Sequence, residues 1–340
     1  MIVTSTENDF SGSTFQVTLI TTGGTVLAAA AVPSDAEWSV GAGSAAAYWV
    51  TGGKLQKLDA HGVVTTVATV PTTEAGMVVV SPDGTEVAYA TMTQSSKGVT
   101  TNRLYRVGSS GTSVLIAQRV ADPAHPSADA PPDWQYYPMS WTSKGILIER
   151  QPLGGCGCGT PFDMQMSAGY SAFIDPATGT ATPVTESNTC PLSGVGADGT
   201  AACFEQSSTG GSASIDFLNN LHTTARFALS GMNLGGEATF NGSTVAYATV
   251  PKNTGGCGGT DWRPLTTLRL MDIRTGNARA VGPIGFAPQS WLRDGTIVGT
   301  ISVAAHSNTG STTSTVVVLD PASGHVSPIL NRSAMVVGVA

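Results

Sequence analysis

Short apolar runs alternate with tight polar turns along the whole chain. One kind of turn joins two apolar runs directly. Ser81-Pro82-Asp83-Gly84 precedes Glu86–Ala90, and Thr142-Ser143-Lys144-Gly145 precedes Ile146–Ile148. Ala197-Asp198-Gly199, Asn241-Gly242 and Arg293-Asp294-Gly295 repeat the phrase. A second kind follows further on, as in Asp175–Gly179, Asp272–Gly276 and Asp320–Gly324. Asp and Asn bond their own backbone two residues on, and Gly supplies the positive φ that such turns need. Two turn types alternating at an interval of about 40–60 residues read as a radial β-repeat. No long stretch places apolar residues at i, i+3, i+4 and i+7, so helices are not expected.

A propeller blade is a four-stranded antiparallel meander, strands A to D running from the centre outward. Six blades can be written in chain order. Blade I has Ala36–Val40, Ser44–Thr51, Lys54–Asp59 and Val63–Val70; blade II has Met77–Ser81, Glu86–Thr93, Arg103–Gly108 and Ser113–Val120. Blade III has Met139–Trp141, Ile146–Gln151, Tyr170–Asp175 and Ala181–Thr185; blade IV has Leu192–Gly196, Thr200–Glu205, Ser212–Leu218 and Thr224–Leu229. Blade V has Ala238–Phe240, Thr244–Thr249, Thr267–Ile273 and Ala278–Val281; blade VI has Gln289–Leu292, Ile297–Val303, Ser314–Leu319 and Val326–Leu330. Three strands are left at the start, Ile2–Thr6, Phe15–Thr21 and Val26–Val32, and one at the end, Ala334–Val339. Together they make blade VII, built from both ends of the chain. The C–D turns, counted with Thr22-Gly23-Gly24, outnumber the A–B turns by one, as that closure requires. The expected fold is all-β, a seven-bladed propeller spanning 1–340 as one domain, with six or eight blades as the alternative. Blade IV is the weakest, because its C–D turn at Asn219–His222 lacks glycine.

Composition agrees. Charged residues are 11% of the 340, and 41 are glycine, which suits short strands and tight turns. The formal net charge is −7, and Lys and Arg form no basic stripe, which sets nucleic acid aside as a partner. No run approaches the ~20 apolar residues of a membrane span. No signal peptide precedes the first strand, which suggests a chain trimmed from a longer precursor.

Ser-Pro-Asp-Gly-x-x-Val-Ala-Tyr-Ala at 81–90 resembles the repeat of TolB-type propellers, itself similar to a WD repeat. Trp141 and Trp291 stand just before their turns, where that family often has Trp. The resemblance covers most of the chain, with one copy near consensus. It implies a propeller and an extracytoplasmic setting, secreted or anchored through a removed N-terminal segment. It implies no catalytic residues, because the repeat is structural, and propellers host many functions.

A–B and C–D turns share one face of a propeller; B–C and D–A loops share the other. Every long insertion falls on the second face: Ala121–Pro138, Pro152–Ser167 and Pro251–Thr266. Loops of that length in a compact domain are usually functional or disordered. The ligand-binding candidates are therefore Trp134, Tyr136, Tyr137, Glu149, Arg150, Asp163, Asp261, Trp262 and Arg263. The aromatic group of Asp133–Tyr137 is either a recognition platform or an anchor for its loop, the anchor being favoured for Tyr137. Glu149 and Arg150 end a strand and point to opposite sides of the sheet, most simply as a solvent-exposed pair at the edge. Asp261-Trp262-Arg263 is either a polar contact or a local clamp.

Cys156 and Cys158, Cys190, and Cys257 gather on the same face, and two disulfides among these four are preferred to a zinc site. Cys203 occupies an inward strand position, so it is expected to stay reduced as a small hydrophobe. Its hairpin places it opposite Ser193 or Gly194, too far from Cys190 to bridge, although Cys190–Cys203 is the main rival pairing. No Gly-x-Ser-x-Gly, His-Glu-x-x-His or phosphate loop is present, so no catalytic residue, metal or cofactor is expected. The expected role is a monomeric binding or scaffold module for a protein or carbohydrate ligand. The rival is a carbohydrate-active hydrolase or lyase using paired carboxylates among Asp133, Glu149, Asp163 and Asp261.

Overall fold

The computed structural model describes residues 1–6, 13–71, 78–125, 134–152, 171–185, 192–205, 213–230, 232–235, 238–251, 262–304, 313–330 and 334–339. The strands, in chain order, are β1 (Ile2–Ser5), β2 (Thr14–Ile20), β3 (Val26–Pro33), β4 (Gly41–Gly43), β5 (Ala46–Thr51), β6 (Lys54–Asp59) and β7 (Val64–Thr69). Next come β8 (Val78–Val80), β9 (Val87–Gln94), β10 (Thr100–Val107), β11 (Ser113–Ala121), β12 (Trp134–Thr142), β13 (Gly145–Pro152), β14 (Ser171–Ile174) and β15 (Ala181–Thr185). Then follow β16 (Leu192–Val195), β17 (Ala201–Glu205), β18 (Ala213–Asn219), β19 (His222–Leu229), β20 (Met232–Leu234), β21 (Thr239–Asn241), β22 (Thr244–Pro251), β23 (Thr267–Asp272) and β24 (Ala278–Ala280). The last are β25 (Phe286–Trp291), β26 (Ile297–Val303), β27 (Thr313–Leu319), β28 (Val326–Leu330) and β29 (Met335–Val339).

These strands form seven antiparallel sheets arranged in a ring. Blades I to VI are β4–β7, β8–β11, β12–β15, β16–β19, β20–β24 and β25–β28. Blade VII has the order β29-β1-β2-β3, with Ile2 opposite Val339 and Ser5 opposite Met335. The last strand of the chain is thus the inner strand of a blade whose other three strands open the chain.

Among the described residues, an apolar cluster lies between each pair of neighbouring blades. Strand alternation explains this. In β9, Val87 and Tyr89 pack toward blade I, while Ala88 and Ala90 pack toward blade III. Both faces are buried, so the strand reads as a nearly unbroken apolar run. Tyr89 carries its hydroxyl into this core, where burial pushes its pKa up to about 12. The hydroxyl donates to Ser113 Oγ at 2.8 Å, and Ser113 in turn donates to the Thr69 carbonyl of blade I at 3.0 Å.

The turns carry the conformational load expected of them. In the A–B turn of blade II, Gly84 N donates to Ser81 O at 2.8 Å, with Gly84 at φ +72°. Asp83 accepts from the Ser81 hydroxyl at 2.7 Å and from Thr85 N at 3.1 Å. In C–D turns the leading Asp does the same: Asp175 accepts from Ala177 N and Thr178 N, Asp272 from Thr275 N, and Asp59 from His61 N and Val63 N. Blade IV, without glycine, turns through Asn220 and Leu221 at φ 47° and 68°. A branched residue in that left-handed region costs roughly 1–2 kcal/mol.

The C–D glycines of blades II, III, V and VII also seat those blades on their neighbours. A Cβ on Gly111 would lie 2.8 Å from Val67 O of blade I, and one on Gly24 would lie 3.1 Å from Ile329 O of blade VI. A Cβ on Gly179 would overlap Ile116 O of blade II, and one on Gly276 the Phe227 ring of blade IV. Val67, Ile116 and Ile329 are each the extra residue of a bulge in an outer strand. A bulge turns a carbonyl out of the ladder, and the glycine of the next blade packs on it.

Three strands differ from the sequence expectation. Blade I's inner strand is Gly41–Gly43, whereas 34–39 form a 3₁₀ turn where Ala36–Val40 was expected as a strand. The reason is close approach: a Cβ on Gly41 would collide with Val78 O of blade II. Glycine has low strand propensity, so the position was invisible to pattern. The turn that follows, Ser44-Ala45, has φ 46° and 58°. In blade III the inner strand begins at Trp134, not Met139, so the aromatic group expected in the Ala121–Pro138 connection lies in the sheet, Trp134 opposite Pro152. In blade V the inner strand is divided into β20 and β21, both paired with β22.

Gly179→Ala is expected to lower stability by more than Gly62→Ala. Both glycines have positive φ, but Gly62 has open space around its Cβ position. Gly62→Ala should cost the left-handed strain alone, roughly 1–2 kcal/mol, and urea unfolding of the two variants compares them. Equal losses would show that the contact with Ile116 contributes nothing.

The turn carboxylates also set an acid limit. Bonds from Val63 N, the Ser81 hydroxyl, Thr178 N, Thr275 N and the Ser323 hydroxyl hold Asp59, Asp83, Asp175, Asp272 and Asp320 below the usual carboxylate range. A carboxyl with a lowered folded pKa adds stability above its unfolded value near 3.9 and loses it as pH falls through the folded value. Asn keeps the turn bonds without the charge. Converting Asp59, Asp175, Asp272 and Asp320 together to Asn should flatten the fall in stability below pH 4. Unchanged slopes in urea titrations at successive pH values would contradict this.

Candidate functional site

The face opposite the A–B and C–D turns carries the ends of the B and D strands and the starts of the A and C strands. Blade III places most of the candidates there. Tyr136 is half-buried against the core between blades II and III, and its N–H donates to Asn102 Oδ1 of blade II at 3.0 Å. That favours the anchoring role for Tyr136. Tyr137, the next residue, is half-buried and lies opposite Glu149, which in turn lies opposite Ser171. The Trp134 and Arg150 backbones belong to the strands; their side chains, and all of Asp133, Asp163, Asp261, Cys156, Cys158, Cys190 and Cys257, lie outside the described residues.

Glu149 is not the solvent-exposed edge residue expected. It is 3% exposed. Alternation puts it on the same side of β13 as Leu147, and Leu147 packs into the core between blades III and IV. Ser171, fully buried, shares that side with Phe173. Blade IV answers across the same interface. Leu192, Ala201, Cys203 and Leu218 are its apolar contribution, and Asp216, two residues from Leu218 and opposite Cys203, is its polar one. Asp216 is 3% exposed and accepts from Arg226 Nε at 2.9 Å and from Ser214 Oγ at 3.0 Å. A buried carboxylate needs such partners. One interface, apolar toward the turns, thus turns polar toward the loops, with a carboxylate from each blade. Asp216, Ser214 and Arg226 were missed in the sequence, although a lone Asp inside Ile215–Leu218 was a readable signal. Among the described residues, no three of His, Cys, Asp and Glu gather so as to hold a metal ion.

Cys203 is fully buried in this interface. It is disulfide-bonded, which corrects the expectation of a reduced thiol. The other four cysteines lie outside the described residues. The register also differs: Cys203 lies opposite Leu192, because a bulge at Ser193 shifts the pairing.

Trp262 and Arg263 enter a short 3₁₀ segment, Arg263–Leu265. Its backbone is pinned: Leu265 N donates to Trp262 O, Thr266 Oγ1 to Arg263 O at 2.9 Å, and Gly285 N of blade VI to Thr266 O at 2.7 Å. These bonds hold the backbone of the segment to itself and to blade VI, while Arg263 is exposed and Trp262 half-exposed. Leu265, Ile284 and Val303 are exposed beside it, an apolar group that sequence reading did not single out.

The geometry defines a seven-bladed β-propeller with one structural face and one elaborated face. No protein-family model matches the sequence, and no curated protein sequence matches it. Solved structures match the fold. A puromycin hydrolase aligns over 94% of this chain and 52% of its own length, at 10% identity and TM-score 0.56. A putative 6-phosphogluconolactonase from Bacteroides uniformis aligns over 99% of both chains, at 13% identity and TM-score 0.52. TolB from Acinetobacter baumannii aligns over 82% of this chain and 62% of its own, at 15% identity and TM-score 0.45. At these identities the likeness is one of fold. No helix among the described residues is long and apolar enough to cross a membrane.

Non-reducing peptide mapping is expected to recover Cys203 in a cross-linked peptide. A Cys203 alkylated without prior reduction would overturn the bonded state.

Proposed function

We propose that this chain is an extracytoplasmic binding module whose loop-rich face takes a protein or carbohydrate ligand. One observation carries the reading. The turn face is occupied by its own architecture, since the Asp side chains of its turns are engaged by turn hydrogen bonds. The opposite face holds Trp262, Arg263 and the apolar group of Leu265, Ile284 and Val303. Trp and Arg beside apolar side chains are the composition of interface hot spots. The disulfide at Cys203 fits an oxidising compartment.

The second reading is a carbohydrate-active hydrolase or lyase on the same face. It is favoured by Glu149 and Asp216, two buried carboxylates in one interface. Such chemistry uses a pair of carboxyl groups. Asp216, engaged by Arg226, is the less suited of the two.

A panel of polysaccharides separates the readings. Retained binding without new reducing ends or unsaturated products is expected, and Trp262→Ala should weaken it by roughly tenfold, as a hot-spot truncation does. Turnover abolished by Asp133→Asn, Glu149→Gln, Asp163→Asn or Asp261→Asn would replace the binding reading with the enzymatic one.

A further inference from the structure

The A–B turns of blades II, IV and VI are built alike, and that of blade V is not. In the first group an Asp-Gly step stands in the bend. Its glycine N–H is bonded back across the turn: Gly84 N donates to Ser81 O at 2.8 Å, Gly199 N to Gly196 O at 2.9 Å and Gly295 N to Leu292 O at 3.0 Å. Its carboxylate is bonded forward: Asp83 accepts from Thr85 N at 3.1 Å, Asp198 from Thr200 N at 2.9 Å and Asp294 from Thr296 N at 3.0 Å.

Blade V has Asn241-Gly242, the one Asn of the sequence that Gly follows. Asn241 lies opposite Thr244, so Gly242 and Ser243 alone make the bend, Gly242 at φ +57°. Glycine at the first position of a two-residue loop is a favoured hairpin connection. Strand pairing therefore closes this bend, and neither the Asn241 side chain nor the Gly242 N–H is needed for it. Among the described residues, both groups have no hydrogen-bond partner. Asn241, Gly242 and Ser243 are exposed, and nothing stands within 4 Å of the position a Gly242 Cβ would take.

We propose that Asn241-Gly242 is a site of spontaneous modification, where the asparagine is converted to aspartate and isoaspartate. Asparagine is a thermolabile residue. The Gly242 N gives up its proton to base and attacks Asn241 Cγ. The new C–N bond closes a succinimide ring, and the side-chain nitrogen leaves as ammonia. Water then opens the ring at either carbonyl. One opening leaves an ordinary aspartate; the other routes the backbone through the side chain as isoaspartate. Nothing is oxidised or reduced. Ring closure needs an unhindered, unbonded amide nitrogen, a free side chain and a backbone that opens locally, as a hairpin tip does at little cost. Only this turn supplies all of them among the described residues. Asn102, Asn220, Asn233 and Asn277 precede Arg, Leu, Leu and Ala, whose Cβ crowds the approach. Asn102 Oδ1 also accepts from Tyr136 N. The Asp-Gly steps have the glycine, but the turn occupies its nitrogen and the carboxylate. The site lies on the turn face, so conversion adds a negative charge there and leaves the loop-rich face untouched.

Peptide mapping of the folded protein aged in mildly alkaline buffer tests this. The peptide bearing Asn241 is expected to exchange its amide for a carboxylic acid before any other asparagine peptide, releasing ammonia in matching amount. Isoaspartyl methyltransferase with S-adenosylmethionine should label that peptide and not those of Asp83, Asp198 or Asp294. Asn241→Ser should abolish the label and keep the melting temperature. The folded protein should convert within an order of magnitude of the rate in denaturant. Asn241 left intact by ageing that converts the denatured chain overturns the proposal. So does labelling of the Asp-Gly turns equal to that at Asn241, which would show that their hydrogen bonds protect nothing.

Discussion

Every blade of this protein is apolar on both faces, and that constraint governs the rest. A single four-stranded sheet of this kind cannot stand in water, because each face must be covered by another sheet. Burial is worth roughly 25 cal/mol per Å² of apolar surface, and here it is distributed over seven interfaces with no central core. A row of such sheets would leave two faces bare. A ring leaves none. The pairing of β29 with β1 therefore does more than tidy the termini: it makes one blade out of both ends of the chain, so the interfaces of blade VII depend on the ring being shut.

The turns serve the same end. Asp at the head of a turn accepts from the following amides, and Gly completes the bend with positive φ. In blades II, III and VII the same glycine, lacking Cβ, lets the blade seat on the bulged edge of the one before. Local turn chemistry and long-range packing are thus met by one residue type at one position. This fixes the turn face in form and leaves little there for a ligand. Variation falls to the other face, where loops can change without disturbing how blades meet.

The interface between blades III and IV is the point where architecture and chemistry overlap. It is apolar near the turns, as all seven are, and becomes polar toward the loops through Glu149, Ser171, Asp216 and Ser214. Asp216 is satisfied by Arg226 and Ser214 at ordinary hydrogen-bond distances. The disulfide of Cys203 lies in the same interface. Buried charge and a covalent link at one seam mark it as the most specialised of the seven. Structural likeness to hydrolases and to TolB does not say what that seam is for, because propellers of one shape serve unrelated chemistries.

Sequence alone determined the fold. The period of two along each strand, the Asp-Gly turns and the surplus of one C–D turn were enough to count seven blades and to join the ends in the last. These features are local, so they are written in consecutive residues. What escaped was whatever depends on two blades meeting. Gly41–Gly43 looks like a loop until Val78 O stands where a Cβ would be. Trp134–Pro138 looks like an aromatic loop until β13 extends to Pro152 to pair with it. Glu149 looks like a surface acid until blade IV covers it, and Cys203 stands opposite Leu192, not Ser193 or Gly194, because a bulge at Ser193 moves the register. Spacing along a chain gives the direction of a side chain but not the surface that arrives opposite it. That surface comes from residues tens of positions away, and only the closed ring brings them together.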